Sequence, residues 1–168
     1  ATSPENYLMR LNTTDARLAG SAYFNNTAPT SSVFTIGTSS ALNNTDDFIA
    51  YCFHSVEGYS KIGSYTGNGS TDGTFVYTGF RPAFILWKRS SSTSNWLIWD
   101  DERSAYNQAN TILFPDSSSA ESTSTAYGID MLSNGFKMRT SNATINGSGS
   151  IYIYMAFAES PFKYSNAR

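Results

Sequence analysis

Apolar residues recur in short runs along the chain, and Gly, Asn, Ser and Thr separate one run from the next. Alternation of apolar and polar residues is typical of a β-strand with one buried face. The pattern predicts nine strands, at residues 32–36, 48–53, 74–78, 83–88, 95–99, 111–114, 128–132, 136–139 and 151–158. Only residues 100–110 resemble a short helix. Many short strands at this spacing predict an all-β fold, an antiparallel β-sandwich of jelly-roll or lectin-like type.

Two parts of the chain resemble each other. Residues 34–54 and residues 136–158 each contain an alternating run, an Asn-rich turn and a long aromatic run, offset by 102 residues at the first run and 104 at the second. Two similar hairpins indicate a repeat, and the alternative is that two hairpins of one sheet share ordinary β patterning. We interpret residues 1–54 as the tail end of a preceding similar repeat, or as N-terminal strands that complete the sandwich. Residues 55–168 form the main β-sandwich unit.

Composition agrees with a β fold and limits the partners. Aromatic residues make up 15% of the chain and charged residues only 14%, so strand formers are abundant and helix formers scarce. A net charge of −2 gives no long-range attraction to nucleic acid or anionic lipid. The longest apolar run, residues 82–87, is too short to span a bilayer. We therefore expect neither nucleic-acid binding nor membrane insertion.

Two further features concern processing and redox chemistry. The chain starts at Ala1 without an initiator Met and shows no signal peptide, so we expect a processed product or a piece of a longer protein. Cys52 is the only cysteine, which rules out an internal disulfide and a cysteine cluster for zinc. Its apolar neighbours predict a packed core thiol.

The stretch GSYTGNGSTDG, residues 63–73, has the composition of a ligand-binding loop. It matches neither the phosphate-binding P-loop nor the dinucleotide-binding pattern. A strand-like run follows it instead of a helix, so no helix N-terminus is present to hold a phosphate. Calcium needs several carboxylates, and this stretch has only Asp72. We predict a structural hairpin turn, with no metal and no cofactor.

Catalytic candidates are few. His54 is the only histidine, and the nucleophile-elbow pattern of hydrolases is absent. Asp100-Asp-Glu102 is the only acidic cluster, and adjacent strand residues point to opposite faces. The cluster is more typical of a solvated strand end, with Arg103 or Arg89 as partner. We therefore expect no enzyme, and we keep a glycan depolymerase that uses this cluster as an alternative.

A glycan-binding set is the strongest positive signal for a site. A sugar ring packs on an aromatic side chain, and its hydroxyls need hydrogen-bonding partners. Within twelve positions the chain offers Trp96, Trp99, Asp101, Arg103, Tyr106 and Asn107. Trp96 and Trp99 face opposite sides of a strand, so we expect one of them to pack inward. The alternative is that both tryptophans are packing residues of the core and its rim.

Three long stretches, residues 25–37, 50–89 and 130–164, resemble one protein family, most specifically in the motifs YTGNG (65–69) and GFRP (79–82). This family is an uncharacterised C-terminal β-domain of virion proteins in marine tailed bacteriophages, found on longer tail or fibre polypeptides. The resemblance implies a β-sandwich appendage of the virion, and upstream units in related chains fit the repeat described above. It supplies no catalytic residues.

From the resemblance we expect a structural protein on the surface of the virion, a tail fibre or spike module, and from the glycan-binding set we expect that it also recognises a host-surface glycan. Its expected partners are other virion subunits and copies of itself, with a trimer favoured and with exposed Tyr and Phe as contacts. One alternative is a capsid decoration, or another purely structural virion protein with no ligand. The other is the glycan depolymerase.

Overall fold

The computed structural model describes residues 3–159, which are built mainly of antiparallel strands. The strands are β1 (Tyr7–Leu8), β2 (Leu18–Ala19), β3 (Ser60–Thr66), β4 (Phe75–Tyr77), β5 (Pro82–Arg89), β6 (Trp96–Asp100), β7 (Thr111–Ile112), β8 (Ser122–Thr123), β9 (Ile129–Leu132), β10 (Gly135–Met138) and β11 (Ile151–Ala158). The helices are α1 (Ser21–Phe24), α2 (Ala143–Asn146) and two single 3-10 turns, Pro4–Asn6 and Thr125–Tyr127.

Two larger sheets form the sandwich. One has four strands in the order β3-β11-β5-β6, and the other has three strands in the order β4-β10-β9. Two-stranded pairs, β1-β2 and β7-β8, lie beside them. The inner faces meet where Phe136 of the smaller sheet contacts Tyr65 and Tyr154 of the larger one edge-on. The predicted all-β antiparallel sandwich is therefore confirmed.

Seven of the nine predicted strands are present as β4, β5, β6, β7, β9, β10 and β11. The predicted strands at residues 32–36 and 48–53 are wrong, because no neighbouring strand pairs with their backbone. The predicted helix at residues 100–110 is also wrong, because this segment forms turns.

Strand β3 was missed because it runs into the glycine-rich stretch. It contains Gly63, and glycine ordinarily weakens a strand. The reason for glycine here is the close approach of a ring from the adjacent strand. A Cβ at Gly63 would lie 2.8 Å from the hydroxyl oxygen of Tyr154.

The two similar parts of the chain have different structures. Residues 136–158 include strands β10 and β11, whereas residues 34–54 contain no strand. Residues 3–54 add no strand to either larger sheet, so the expectation that they complete the sandwich as strands is wrong. That residues 1–54 end a preceding repeat stays a prediction. Within the predicted main unit, residues 160–168 lie outside the described residues.

A stack of three aromatic rings occupies the core. Tyr65 of β3, Tyr152 of β11 and Trp87 of β5 lie with ring centroids 4.9 Å apart for the tyrosine pair and 5.0 Å apart for Tyr152 and Trp87. The Trp87 Nε1–H donates a 2.7 Å hydrogen bond to the Tyr65 hydroxyl. That hydroxyl donates at 2.7 Å to the backbone carbonyl of Ile145. These buried polar atoms therefore have partners, as burial requires.

The central ring of the stack also holds the segment around α2. The Tyr152 hydroxyl donates to the carbonyl of Ala143 at 2.8 Å and accepts from the amide of Gly147 at 2.7 Å. Together with the bond from Tyr65 to Ile145, this fixes both ends of the short helix against the core. A four-residue helix has too few internal hydrogen bonds to be stable alone, so these side chains define its position.

The stack predicts a loss of stability at high pH. Burial raises the pKa of Tyr65 well above its usual value. Because the folded-state pKa exceeds the unfolded one, the contribution of Tyr65 is complete below about pH 10 and is lost as the pH rises through the folded value. Urea unfolding at pH values from about 8 to 11 should therefore show a steeper fall in wild type than in Tyr65→Phe. Parallel profiles would contradict this.

Candidate functional site

Both tryptophans of the predicted glycan set are buried. They point to opposite faces of β6, as expected. Trp99 packs edge-on against Trp87 in the core and donates to the carbonyl of Tyr127 at 3.0 Å. Trp96 lies on the outer face, where its Nε1–H donates to the carbonyl of Arg10 at 2.8 Å. Both tryptophans are therefore packing residues, as the alternative interpretation stated, because the N-terminal segment covers the outer face at Trp96.

Charged residues of the same set are held in ion pairs. Asp101 lies 2.7 Å from the guanidinium of Arg81. Arg103 contacts Asp100 at 2.7 Å and Glu121 at 2.8 Å, and these two carboxylates raise its pKa. The predicted pairing of the acidic cluster with Arg103 is confirmed. These pairs lie at a strand end and anchor the turn after β6.

The last two residues of the set differ sharply in exposure. The Asn107 side chain accepts from the amide of Met131 at 2.8 Å and donates to the carbonyl of Met131 at 3.1 Å. It therefore makes the two hydrogen bonds that a neighbouring strand would make at this edge of β9. The Tyr106 side chain is 88% exposed. Among the three predicted aromatic residues, the structure therefore leaves only Tyr106 accessible to a ligand.

The predicted partner Arg89 does not reach the acidic cluster. Its guanidinium donates to the hydroxyl of Ser150, the residue directly before β11, at 2.9 Å. The register explains this, because Arg89 lies at the end of β5 that pairs with the start of β11.

The glycine-rich stretch contains a turn, as predicted, after its first residues complete β3. The predicted hairpin is wrong, because the strands on either side of the turn, β3 and β4, belong to different sheets. The buried Asn146 side chain organises this turn by accepting from the amide of Asn68 at 3.1 Å and donating to the carbonyl of Ser70 at 2.8 Å. Asp72 forms an ion pair with Lys137, which lowers the pKa of the carboxyl group. The polar groups of this stretch are therefore used to fix the turn.

The remaining chemical candidates lie outside the core. Cys52 is exposed, so the prediction of a packed thiol is wrong, since its segment forms no strand. His54 is also exposed, and its backbone carbonyl accepts from the hydroxyl of Ser60 at 2.9 Å. Within residues 3–159, no group of three or more His, Cys, Asp or Glu side chains is arranged to hold a metal ion. No helix in this range is long and apolar enough to cross a membrane.

The most unusual surface feature is an arm without strands, defined here as residues 33–53. Ile49 and Tyr51 are 81% and 80% exposed, although their sequence pattern is that of a buried strand. Its exposed large apolar side chains are Val33, Phe34, Ile36, Phe48, Ile49, Tyr51 and Phe53. Sequence reasoning found these residues but wrongly placed them in the sheet. Isolated exposed apolar residues are ordinary, whereas a cluster in one segment marks an interaction surface.

The arm is attached to the rest of the chain near both ends. The amide of Gly37 donates to the carbonyl of Tyr23 in α1 at 2.7 Å. The ring of Phe53 contacts Phe157 of β11 edge-on, with centroids 6.2 Å apart. Residues 44–52, between these attachments, carry the most exposed side chains of the arm.

The four-stranded sheet is apolar on both faces. In β11, Tyr152, Tyr154 and Ala156 point into the core, and the alternate residues Ile153 and Met155 point outward and are half-buried. Other half-buried apolar residues of this outer face are Ile62, Phe84, Leu86, Ile98 and Phe157. Strands of this composition belong in sheets that are covered on both sides.

The N-terminal segment covers one end of this outer face. Lys88 is fully buried there, and its ammonium group donates to the backbone carbonyls of Thr14 and Ser94. Burial lowers the pKa of Lys88. The amide of Arg17 adds a 3.1 Å bond to the carbonyl of Ser90. Residues near the N-terminus therefore form part of a third layer, and the apolar arm continues from it.

The sequence model of one protein family, a domain of unknown function designated DUF7483, matches residues 1–161. Because the match spans nearly the whole chain, the chain belongs to this family. No curated protein and no solved structure matches the chain.

Two substitutions distinguish the buried and exposed members of the predicted glycan set. Trp96→Ala should lower the free energy of unfolding by about 3 kcal/mol or more, because it opens a cavity and removes the bond to Arg10. Tyr106→Ala is the matched control and should change it by less than about 0.5 kcal/mol. Urea unfolding measures both values, and equal effects would contradict the assigned burial.

Proposed function

We propose that this member of the DUF7483 family is a structural module on the exterior of a bacteriophage particle, such as a tail fibre or spike, and that it assembles with copies of itself. The observation that carries the proposal is the arm, because its apolar side chains lack the burial that their sequence pattern implies. Burial of large apolar side chains between subunits is the main favourable term in most protein association. The resemblance of the YTGNG and GFRP motifs to tail-protein domains supports the location.

The use of polar residues also favours a structural role. Asp101 and Arg103 are held in ion pairs, and Asn107 and Asn146 complete backbone hydrogen bonds. Each of these side chains stabilises a turn or a sheet edge. For the depolymerase alternative, the carboxylates of Asp100 and Asp101 would first have to leave their arginine partners. The structural proposal requires no such rearrangement.

The proposal also includes where on the particle this module lies. An exterior appendage of the tail is favoured by the family resemblance, and a capsid decoration protein would have the same physical properties. Density for the domain on the tail in images of the virion would support the first, and density on the head would support the second. For a tail appendage we expect a closed symmetric assembly, with a trimer favoured.

Recognition of a host-surface glycan is the finer part of the proposal, and Tyr106 is its best candidate. Tyr106→Ala should abolish retention on the glycan of the host surface without lowering the melting temperature, since the side chain is exposed. A glycan array with the wild-type domain and this variant measures the effect. Undiminished retention of Tyr106→Ala on a glycan that wild type binds would show that this residue is not the contact.

Self-assembly is tested by introducing a charge into the arm. Wild type should be larger than the 18.4 kDa chain mass in light scattering at concentrations of about 100 μM, and Tyr51→Lys should be close to that mass. The matched control is Tyr106→Lys, which changes an equally exposed tyrosine outside the arm and should leave the assembly intact. A wild-type chain that stays monomeric at every concentration would contradict the proposal.

A further inference from the structure

The two larger sheets have four edge strands, and two of these edges are closed by neighbouring segments. At β6, the backbone of Ile98 exchanges hydrogen bonds of 3.0 and 3.1 Å with Leu113. At β9, Ala109 pairs with Ile129 through the backbone. The Asn107 side chain hydrogen-bonds to the amide and the carbonyl of Met131, the next residue whose backbone groups point outward. Closing an edge in this way protects a sheet from pairing with another chain.

The edge of β3 is closed along most of its length. Val56 and Ser60 exchange backbone hydrogen bonds, both 3.0 Å long. The Ser55 hydroxyl accepts from the amide of Ile62 at 3.0 Å and lies 3.4 Å from its carbonyl oxygen. The side chain of Ser55 thus occupies both backbone groups that a new strand would need.

The edge of β4 is open. The backbone N–H of Thr78 donates a hydrogen bond to the carbonyl of Asn134 at 3.0 Å. Because the direction alternates along a strand, the backbone N–H and C=O groups of Val76 also face β10. The N–H and C=O groups of Phe75 and Tyr77 therefore point away from the sheet. Within residues 3–159, no backbone or side-chain group hydrogen-bonds to them.

The surroundings of β4 suit the addition of a strand. The side chains of Phe75 and Tyr77 are 43% and 63% exposed. A cleft of about 350 Å³ lies between this edge and the start of β3, lined in part by Val56, Lys61 and Thr78. An open edge flanked by exposed rings offers both backbone hydrogen bonds and side-chain contacts to an extended peptide.

The arm contains a segment whose sequence has the pattern that such an edge requires. Residues 48–54 correspond in sequence to residues 152–158, which form most of β11 in this same sandwich. In an extended conformation, Tyr51 shares one side of the chain with Ile49 and Phe53, and the small Ala50 and Cys52 lie on the other side together with Phe48 and His54. On an added strand, the large side chains would lie beside Phe75 and Tyr77, where aromatic cross-strand pairs are favourable.

We infer that residues 48–54 of one copy pair with the open edge of β4 in a second copy. The chain's own arm is fixed elsewhere, because Phe53 packs on Phe157 of the other sheet and Gly37 is bonded to α1. Pairing with a second copy keeps the bond of Gly37 to α1, while Phe53 exchanges its contact with Phe157 for the rings of β4. Donor and acceptor are different surfaces, so each copy gives one strand and receives one in a closed pair or ring. This inference rests on the proposed self-assembly and specifies its contact.

Proline at the β4 edge tests the backbone pairing. Phe75→Pro removes an N–H that points outward, so the three-stranded sheet keeps its hydrogen bonds while an added strand loses one. We expect light scattering to show a monomer, with the wild-type far-UV circular dichroism retained. Val76→Pro is the contrasting control, because its N–H faces β10 and its loss should cost about 3 kcal/mol or more of stability.

Cross-linking between differently tagged chains tests independently whether the arm of one copy lies beside β4 of another. Cys52 is the only cysteine, so a chain carrying Cys52→Ser and Tyr77→Cys can be mixed with wild type and treated with a short bifunctional maleimide. We expect a cross-linked pair that contains both tags. A second chain, carrying Cys52→Ser and Tyr106→Cys, should give at least tenfold less of that product.

Each contrary outcome has a definite meaning. If Phe75→Pro remains assembled, or if the Tyr77 and Tyr106 cysteines cross-link equally, the strand-addition inference is overturned and the proposed self-assembly stands. If wild type is monomeric at every concentration, both are overturned. A chain that carries both Cys52 and Tyr77→Cys can also form a cross-link within one molecule. If only this intramolecular product forms, the arm reaches its own β4, and the role of the second copy is overturned.

Discussion

The hydrogen-bonded stack of Tyr65, Tyr152 and Trp87 is the interaction on which the rest of the structure depends. It joins three neighbouring strands of the larger sheet, and Phe136 of the smaller sheet packs edge-on against it. Through two hydroxyl groups it also fixes the short helix after β10. Buried hydroxyl and indole groups are costly without partners, so the stack accepts only one arrangement of the chain around it.

A second constraint comes from the composition of β11 and β5. Their inner faces build the aromatic core, and their outer faces carry Ile, Leu, Met and Phe, with Lys88 at one end. With few charged residues available, the chain covers this face with its N-terminal segment, which buries Lys88 and Trp96. The arm extends this third layer with apolar side chains that find little cover within the described residues. The proposed assembly follows from this imbalance.

Edge strands show how the fold controls pairing with other chains. Ser55 and Asn107 each satisfy both outward backbone groups of an edge residue through one side chain. Such protection limits unregulated addition of strands. The exception, β4, carries exposed aromatic residues and therefore differs from the protected edges in both backbone and side-chain chemistry.

The amino-acid sequence by itself determined the fold class, seven strands and the turn in the glycine-rich stretch, because strand alternation and turn chemistry are local properties. The sequence also supplied the residues of the predicted glycan set, but it did not determine which of their side chains are exposed. Trp96 is buried because Arg10, distant in sequence, lies over it, and Asn107 is engaged because β9 returns beside it. The arm has the same alternation as β11, yet only the tertiary structure decides whether a neighbouring backbone is present to pair with it. Strand formation needs that partner, and the partner is non-local.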